Sequence, residues 1–417
     1  MPTEASLSLA NLDRKNIPNI ASALNLLEPQ PILNGLYRFE HKEQAFNLPV
    51  SHRYNVIQPI TTVSSTFFNS SSNFIDFNLP MNIDLIDETT LEFTIANASG
   101  VTAWVANASV PNWFDRVEIR EGTNIIQTIR DLDLYLDNTI YLNDFERAKN
   151  VPKIALDATS YQVNTSAGTV GTSSSNTYRM RIANVLTKCQ IFMKAIRPQL
   201  VLRVYPKPIS SFSSSTVNSS ITLTAGTLLV RELQLTTDGK RKLMDVHRQN
   251  VDYRFLDPVH DQFSGQAMTS GTTIKLKTTN FQNSVYSHVL ALTRASSPTL
   301  ANLETFIQHS NVYFEDSASQ NLSNGIQWSD GDLREIVYQS HFPNTMTLQT
   351  NMNVYVPLVG SMDPVKSYTD GVNLGWDVLP YNANVCIMPS STSTYQVDVV
   401  AYVYRHARVE GGKLCLY

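Results

Sequence analysis

A chain of 417 residues with 42% apolar side chains can bury a sizeable core, in two domains, without disulfide or metal staples. Charged residues make up only 16%, well below the roughly 25% of an average domain, and Ser, Thr and Asn fill the gap; this fits a strand-and-loop protein that packs much of its outside against other subunits. The net charge of −4, with no Lys/Arg-rich tail, argues against direct nucleic-acid binding, and no stretch approaches the ~20 apolar residues of a membrane-spanning helix.

In chain order, residues 1–45 read as an arm. Pro18 opens a short amphipathic helix, Pro18–Glu28, and Pro29 stops it. Ile20, Leu24 and Leu27 share one face of that helix, with no Lys or Arg beside them. Docking against a partner protein is therefore the first expectation for these three residues, and membrane contact the second.

From about residue 52 the period changes to two. Ile75, Phe77 and Leu79 alternate with Asp76 and Asn78; Leu91, Phe93 and Ile95 with Glu92 and Thr94; Val117 and Ile119 with Arg116, Glu118 and Arg120. The same alternation returns at Leu200–Val204, Ile274–Leu276, Met352–Leu358 and Val397–Val403. Half-buried strands separated by Ser/Gly/Asn/Pro loops predict an all-β sandwich or barrel. Two inserted helices are expected, over Arg130–Lys149 and Leu300–His309. Residues 158–177 and 208–223 read as Ser/Thr-rich loops. Lys240, Arg241 and Lys242, after Asp238-Gly239, read as a solvated turn.

The chain repeats itself. Tyr54-Asn-Val-Ile-Gln-Pro59 is echoed by Tyr253-Arg-Phe-Leu-Asp-Pro258, 199 residues on, and at the same offset Ile75 meets Ile274 and Phe77 meets Leu276. Leu91–Ile95 is matched loosely by His288–Leu292, and closing strands are expected at Thr227–Leu235 and Tyr395–Tyr404. The reading is two similar β domains, 46–248 and 249–417, behind the arm.

These residues resemble a known family. Leu79-Pro80, Leu91-Glu-Phe-Thr-Ile95 and Asn112-Trp-Phe-Asp-Arg-Val-Glu-Ile-Arg-Glu-Gly122 are followed by Ile125–Ile129 and a Leu/Tyr-rich helix at Asp131–Leu142. Together with Val251–Pro258 they resemble the double jelly-roll major capsid proteins of the PRD1/adenovirus lineage, in their virophage and polinton-like form. The resemblance implies two tandem eight-stranded jelly rolls. It implies homotrimers that form pseudo-hexagonal capsomers and tile an icosahedral DNA-virus shell inside the host cell. Neighbouring capsomers, penton and minor capsid proteins and an internal membrane are the implied partners, with the arm and its Ile20, Leu24 and Leu27 turned inward. The alternatives are a viral spike or vertex protein, a lectin-like carbohydrate-binding sandwich, and a β-sandwich glycosidase with two carboxylates across a cleft.

No enzyme motif stands against the structural reading. The chain has no Gly-x-Ser-x-Gly elbow, no phosphate loop, and no Cys-x2-Cys or His-Glu-x-x-His pattern. No catalytic residue, cofactor or metal is expected. Asp131, Asp133 and Asp137 read as a solvated helix face, since a Ca²⁺ loop's glycines are missing. His260-Asp261 reads as chance neighbours. Trp104, Trp113, Trp328 and Trp376 read as core or interface anchors before a sugar platform. Cys189, Cys386 and Cys415 have no pairing rhythm and are expected as free thiols.

Overall fold

Where they are described, the period-two segments form strands, and the strands build the same sandwich twice. The computed structural model describes residues 51–61, 63–139, 151–156, 164–247, 252–280, 286–295, 309–315, 328–329, 353–355 and 384–417. The arm with its expected helix, and residues 300–308 of the second expected helix, lie outside the described residues.

The first ten strands are β1 (Ser51–Ile57), β2 (Ile75–Asn78), β3 (Leu85–Asn97), β4 (Trp104–Val105), β5 (Phe114–Glu121), β6 (Asn124–Arg130), β7 (Thr169–Val170), β8 (Ser175–Arg181), β9 (Leu200–Pro206) and β10 (Ile221–Gln234). They form sheets ordered β1-β10-β3-β8 and β2-β9-β5-β6, with β4 paired to β7. The second set is β11 (Asp252–Met268), β12 (Ile274–Lys277), β13 (Tyr286–Ala295), β14 (His309–Glu315), β15 (Trp328–Ser329), β16 (Asn353–Tyr355), β17 (Asn384–Pro389) and β18 (Ser393–Glu410), with β19 (Lys413–Leu416) added to β18. Its sheets are ordered β11-β18-β13-β16 and β12-β17-β14-β15. With the β4–β7 ribbon and β19 set aside, each set pairs its strands antiparallel in the same order: first-eighth-third-sixth and second-seventh-fourth-fifth. That order is the jelly roll.

The sequence repeat maps onto equivalent strands. Tyr54 and Tyr253 lie on β1 and β11, Ile75 and Ile274 on β2 and β12, Leu91–Ile95 and His288–Leu292 on β3 and β13. Equivalent position does not mean equivalent surroundings, because Tyr54 is 64% exposed and Tyr253 only 1%.

The first core is centred on aromatic side chains. Trp113 stacks on Phe212 at 5.2 Å between ring centroids and meets Phe68, Phe93, Trp104 and Tyr178 edge-on. Its indole N–H donates to the Ala108 carbonyl at 2.8 Å, and that of Trp104 to Asn218 Oδ1 at 2.8 Å, so neither ring hides an unpaired donor. The two-residue turn of the β5–β6 hairpin opens at Gly122 (φ +58°), a conformation that a side chain disfavours.

β18 joins the two sets. Val397, Val399, Ala401 and Val403 face the second core, as their alternation predicts. Val400, Tyr402 and Ala407 lie in the first core cluster, with Tyr253, Phe255, Leu292, Val409 and Leu414. The sheet of β18 is therefore apolar on both faces, one on its own sandwich and the other on the first half.

The first expected helix is present as α1, Asp131–Thr139, with residues 140–150 outside the described residues. Other expected elements are corrected. His309 opens a strand rather than closing a helix. The segment 208–223 contains two single 3-10 turns and the start of β10 at Ile221. Unexpected from sequence were α2 (Val185–Cys189) and α3 (Thr237–His247). The Lys240–Lys242 cluster thus lies in a helix, not a solvated turn. The Thr236 hydroxyl accepts from Gly239 N at 3.2 Å, Asp238 sits in the first turn, and Leu243 is buried.

Gly411 and Gly412 turn β18 into β19 at φ +57° and +88°. Arg197 N donates to Gly412 O at 2.8 Å, and a Cβ on Gly412 would stand 2.7 Å from Arg197 Cγ. Gly412→Ala is expected to cost about 1–3 kcal/mol and lower the thermal midpoint by several degrees. Gly265→Ala, at φ +65° in open space, is expected to cost less. Differential scanning calorimetry of the two variants checks the ranking.

Candidate functional site at the seam between the halves

The most concentrated set of buried ionisable groups lies where α1 and α2 of the first half meet β11 and β18 of the second. Two carboxylates in the first turn of α1 suit the positive end of the helix. Asp131 Oδ1 accepts from Leu132 N at 2.8 Å and Oδ2 pairs with Lys207. Asp133 Oδ2 accepts from Arg130 N at 2.9 Å, while Oδ1 lies 2.6 Å from His260 Nε2 on β11.

Asp133 is 2% exposed and Asp137 9%, so the expectation of a solvated helix face is wrong. The second half covers that face. Asp137 sits one turn after Asp133, towards the negative end of α1, and burial pushes its carboxyl up to about 6. Lys188 on α2 and Arg181 on β8 pull it down, and Asp133 and Asp257 push it further up.

Asp257, on β11, also lies above the ordinary carboxylate range because of burial, with Lys188 and Arg405 opposing. It accepts from Gln127 Nε2 at 3.0 Å and faces Arg405 Nε at 3.4 Å. The other end of the Gln127 amide accepts from Val185 N at 2.8 Å, at the first residue of α2. Asn184 caps that helix by accepting from Leu186 N and Thr187 N, while Thr187 Oγ1 accepts from Asn184 N at 3.0 Å. One glutamine thus ties β6, the start of α2 and β11 together.

His260 and Asp261 are not a pair. Asp261 accepts from Thr279 N at 2.7 Å and Asn280 N at 3.1 Å, closing a local turn, while His260 reaches across the seam to Asp133. Asp133–His260 resembles the orienting half of a catalytic triad, yet the His260 side chain is 11% exposed and that of Asp133 3%. Burial pushes the Cys189 thiol far above its ordinary range, which keeps it neutral and a poor nucleophile. Asp133 and His260 thus form a largely buried polar contact that clamps the two halves.

The tryptophans give no sugar platform among the described residues. Trp104 and Trp113 are core, and Trp376 and the Trp328 side chain lie outside them. Ile20, Leu24 and Leu27 also lie outside. None of the three cysteines is in a disulfide, and no group of three or more His, Cys, Asp or Glu among the described residues could hold a metal. No described helix is long and apolar enough to cross a membrane.

A second set of charges lies on the outer face of the β2-β9-β5-β6 sheet. Arg203 grips Asp76 with two bonds of 2.6 and 2.7 Å and lies 3.9 Å over the Phe74 ring. Glu118 takes Arg116 at 2.8 Å, Arg120 at 3.7 Å and the Tyr205 hydroxyl at 3.3 Å. Arg116 lies 3.8 Å over the Tyr205 ring. Asp76 is thus 8% exposed, not the solvated residue that alternation implied, and with Asp115 on Arg116 at 2.6 Å the three arginines here meet three carboxylates.

Because Asp137 titrates above its unfolded value of about 3.8, its ionised form opposes folding. The penalty is absent below pH ~3.8, grows to about pH 6 and persists above it. Asp137→Asn is expected to raise stability at pH 8 by up to about 3 kcal/mol, with the difference vanishing near pH 4. Thermal unfolding of both proteins across that range checks it.

No family model matches the chain, and no curated protein matches it in sequence. Solved structures do match. PBCV-1 VP54, fitted into a cryo-EM reconstruction of the virophage Sputnik, has a TM-score of 0.60 at 12% identity, covering 88% of this chain and 97% of that one. The Faustovirus major capsid protein has a TM-score of 0.57 at 9% identity over 96% and 98%. The Sputnik virophage structure at 3.5 Å has a TM-score of 0.54 at 10% identity over 88% of each chain. From strand order and whole-chain likeness together, this chain has the double jelly-roll fold found in these viral capsid proteins.

Proposed function

We propose that this protein is the major capsid protein of an icosahedral DNA virus, a structural subunit and not an enzyme. The observation that carries the reading is the whole-chain match: the likeness to VP54 and to the Faustovirus protein spans nearly all of both partners, both sandwiches included. A shared jelly roll alone would fit a lectin or a spike. Two in tandem, at this length, favour the shell subunit.

The surface supports the same reading. Tyr54, Val56 and Ile60 are 64%, 60% and 53% exposed, on or just after β1, the edge strand of its sheet. An edge strand with exposed apolar side chains invites association. The self-neutralised face at Asp76, Arg203 and Glu118 lets a neighbouring copy approach without burying an unpaired charge. Three copies, each with two sandwiches, make the pseudo-hexagonal capsomer. Capsomers then tile facets through many weak contacts.

In this reading the chain divides into an arm (1–45) and jelly rolls at 46–248 and 249–417. The arm turns inward, with Ile20, Leu24 and Leu27 against a neighbouring subunit or minor capsid protein. Penton proteins at the vertices, an internal membrane and assembly inside the host cell belong to the same proposal. Direct nucleic-acid binding does not.

Light scattering after size exclusion tests the proposal. A trimer of about 140 kDa, or larger particles built from it, is expected from a 46.7 kDa chain. A stable monomer near 47 kDa that binds glycans on an array would overturn it in favour of the lectin-like reading.

A further inference from the structure

A polar cavity of about 190 Å³ opens beside β1 in the first half. It lies between β1, β10, the loop leading into β3, Lys194 and α3, and its lining carries three cations, Arg53, Lys194 and Lys240, against two carboxylates, Asp84 and Glu232. Both carboxylates are already engaged. Asp84 is 1% exposed; its Oδ1 takes Lys194 Nζ at 2.6 Å, and its Oδ2 takes Leu235 N at 2.8 Å and Lys240 Nζ at 3.1 Å. Burial alone would raise the Asp84 carboxyl, but Lys194, the Leu235 N–H and Lys240 outweigh it and hold the group below its ordinary value. Glu232 accepts from Asn55 Nδ2 at 3.1 Å and Asp84 N at 3.4 Å.

The acceptors are therefore occupied while donors remain. Each ammonium has three N–H groups and spends one on Asp84. Arg53 is exposed, and none of the ion pairs among the described residues uses it. The exposed Asn82 adds an amide to the lining. One net positive charge, unspent donors converging from a strand, a turn and a helix, and room for a tetrahedral anion with a few waters together define an anion site.

We propose that this cavity binds a single phosphate group, with Arg53 as its main unshared donor and Lys194 and Lys240 bridging the phosphate to Asp84. The site is independent of the capsid reading, because it needs only the first half's own fold. The phosphate would come from free phosphate or from a lipid headgroup.

Isothermal calorimetry of inorganic phosphate into the full chain, at constant ionic strength in chloride buffer, tests the site. Saturable one-to-one binding is expected. It should weaken tenfold or more in Arg53→Ala and return partway in Arg53→Lys. Arg53→Gln replaces Arg53→Ala if the latter does not fold by circular dichroism. Absence of saturable binding, or equal affinity in the neutral variants, would overturn the proposal. Flotation with phosphatidylcholine vesicles, with and without phosphatidic acid, separates the sources. Arg53-dependent flotation on the acidic vesicles assigns a lipid headgroup, and phosphate binding without flotation assigns free phosphate. Flotation undiminished in Arg53→Ala would count against the site.

Discussion

The sheet containing β18 has to bury two faces at once, and much of the molecule follows from that requirement. Its inner face closes the second sandwich through Val397, Val399, Ala401 and Val403. Its outer face carries Val400, Tyr402 and Ala407 into the first half's core cluster. Each of these valines gains roughly 1.5–3 kcal/mol by leaving water, so the halves are held by hydrophobic area that neither could hide alone. Hydrophobic attraction has no direction, however, and it would tolerate sliding. The directional contacts are polar: Asp133 to His260, Gln127 to Asp257, Arg197 to Gly412. They fix one register between the halves.

That clamp is not free of conflict. Asp133, Asp137 and Asp257 crowd the same buried region, with Lys188 as a shared counter-charge. Burial and mutual repulsion raise two of them, so at neutral pH the seam holds ionised groups at a cost in stability. Hydrophobic burial on either side of the seam offsets it.

Elsewhere the chain meets its buried carboxylates with its own cations. Asp76 is paired with Arg203, Glu118 with Arg116 and Arg120, and Asp84 with two lysines. This gives structural meaning to the low charge content. In the shell subunit proposed above, carboxylates that are already paired would ease contact with further copies. The exposed β1 edge stands out against that background, with Tyr54 and Val56 outward and, among the described residues, β10 as its one partner strand.

What the sequence by itself determined is the strand plan. Alternation at Leu91–Ile95, Val117–Ile119, Leu200–Val204 and Val397–Val403 places those strands, and the 199-residue repeat pairs equivalent strands of the two sandwiches. Period-two patterning is a local property, so it is legible residue by residue. Burial from outside a strand's own sandwich was not legible. Val400 and Tyr402 fall on the face that alternation assigns to solvent, Asp133 and Asp137 read as a wet helix face, and Lys240 read as a turn residue. Each was decided by a partner far away in sequence: β13 and the first core, His260 on β11, and Asp84 before β3. The apolar run of Val399–Val403 was the one available signal that β18 is covered on both sides. A charged side chain carries no local mark of whether it will meet water or a counter-charge, because only the tertiary fold brings that counter-charge within reach.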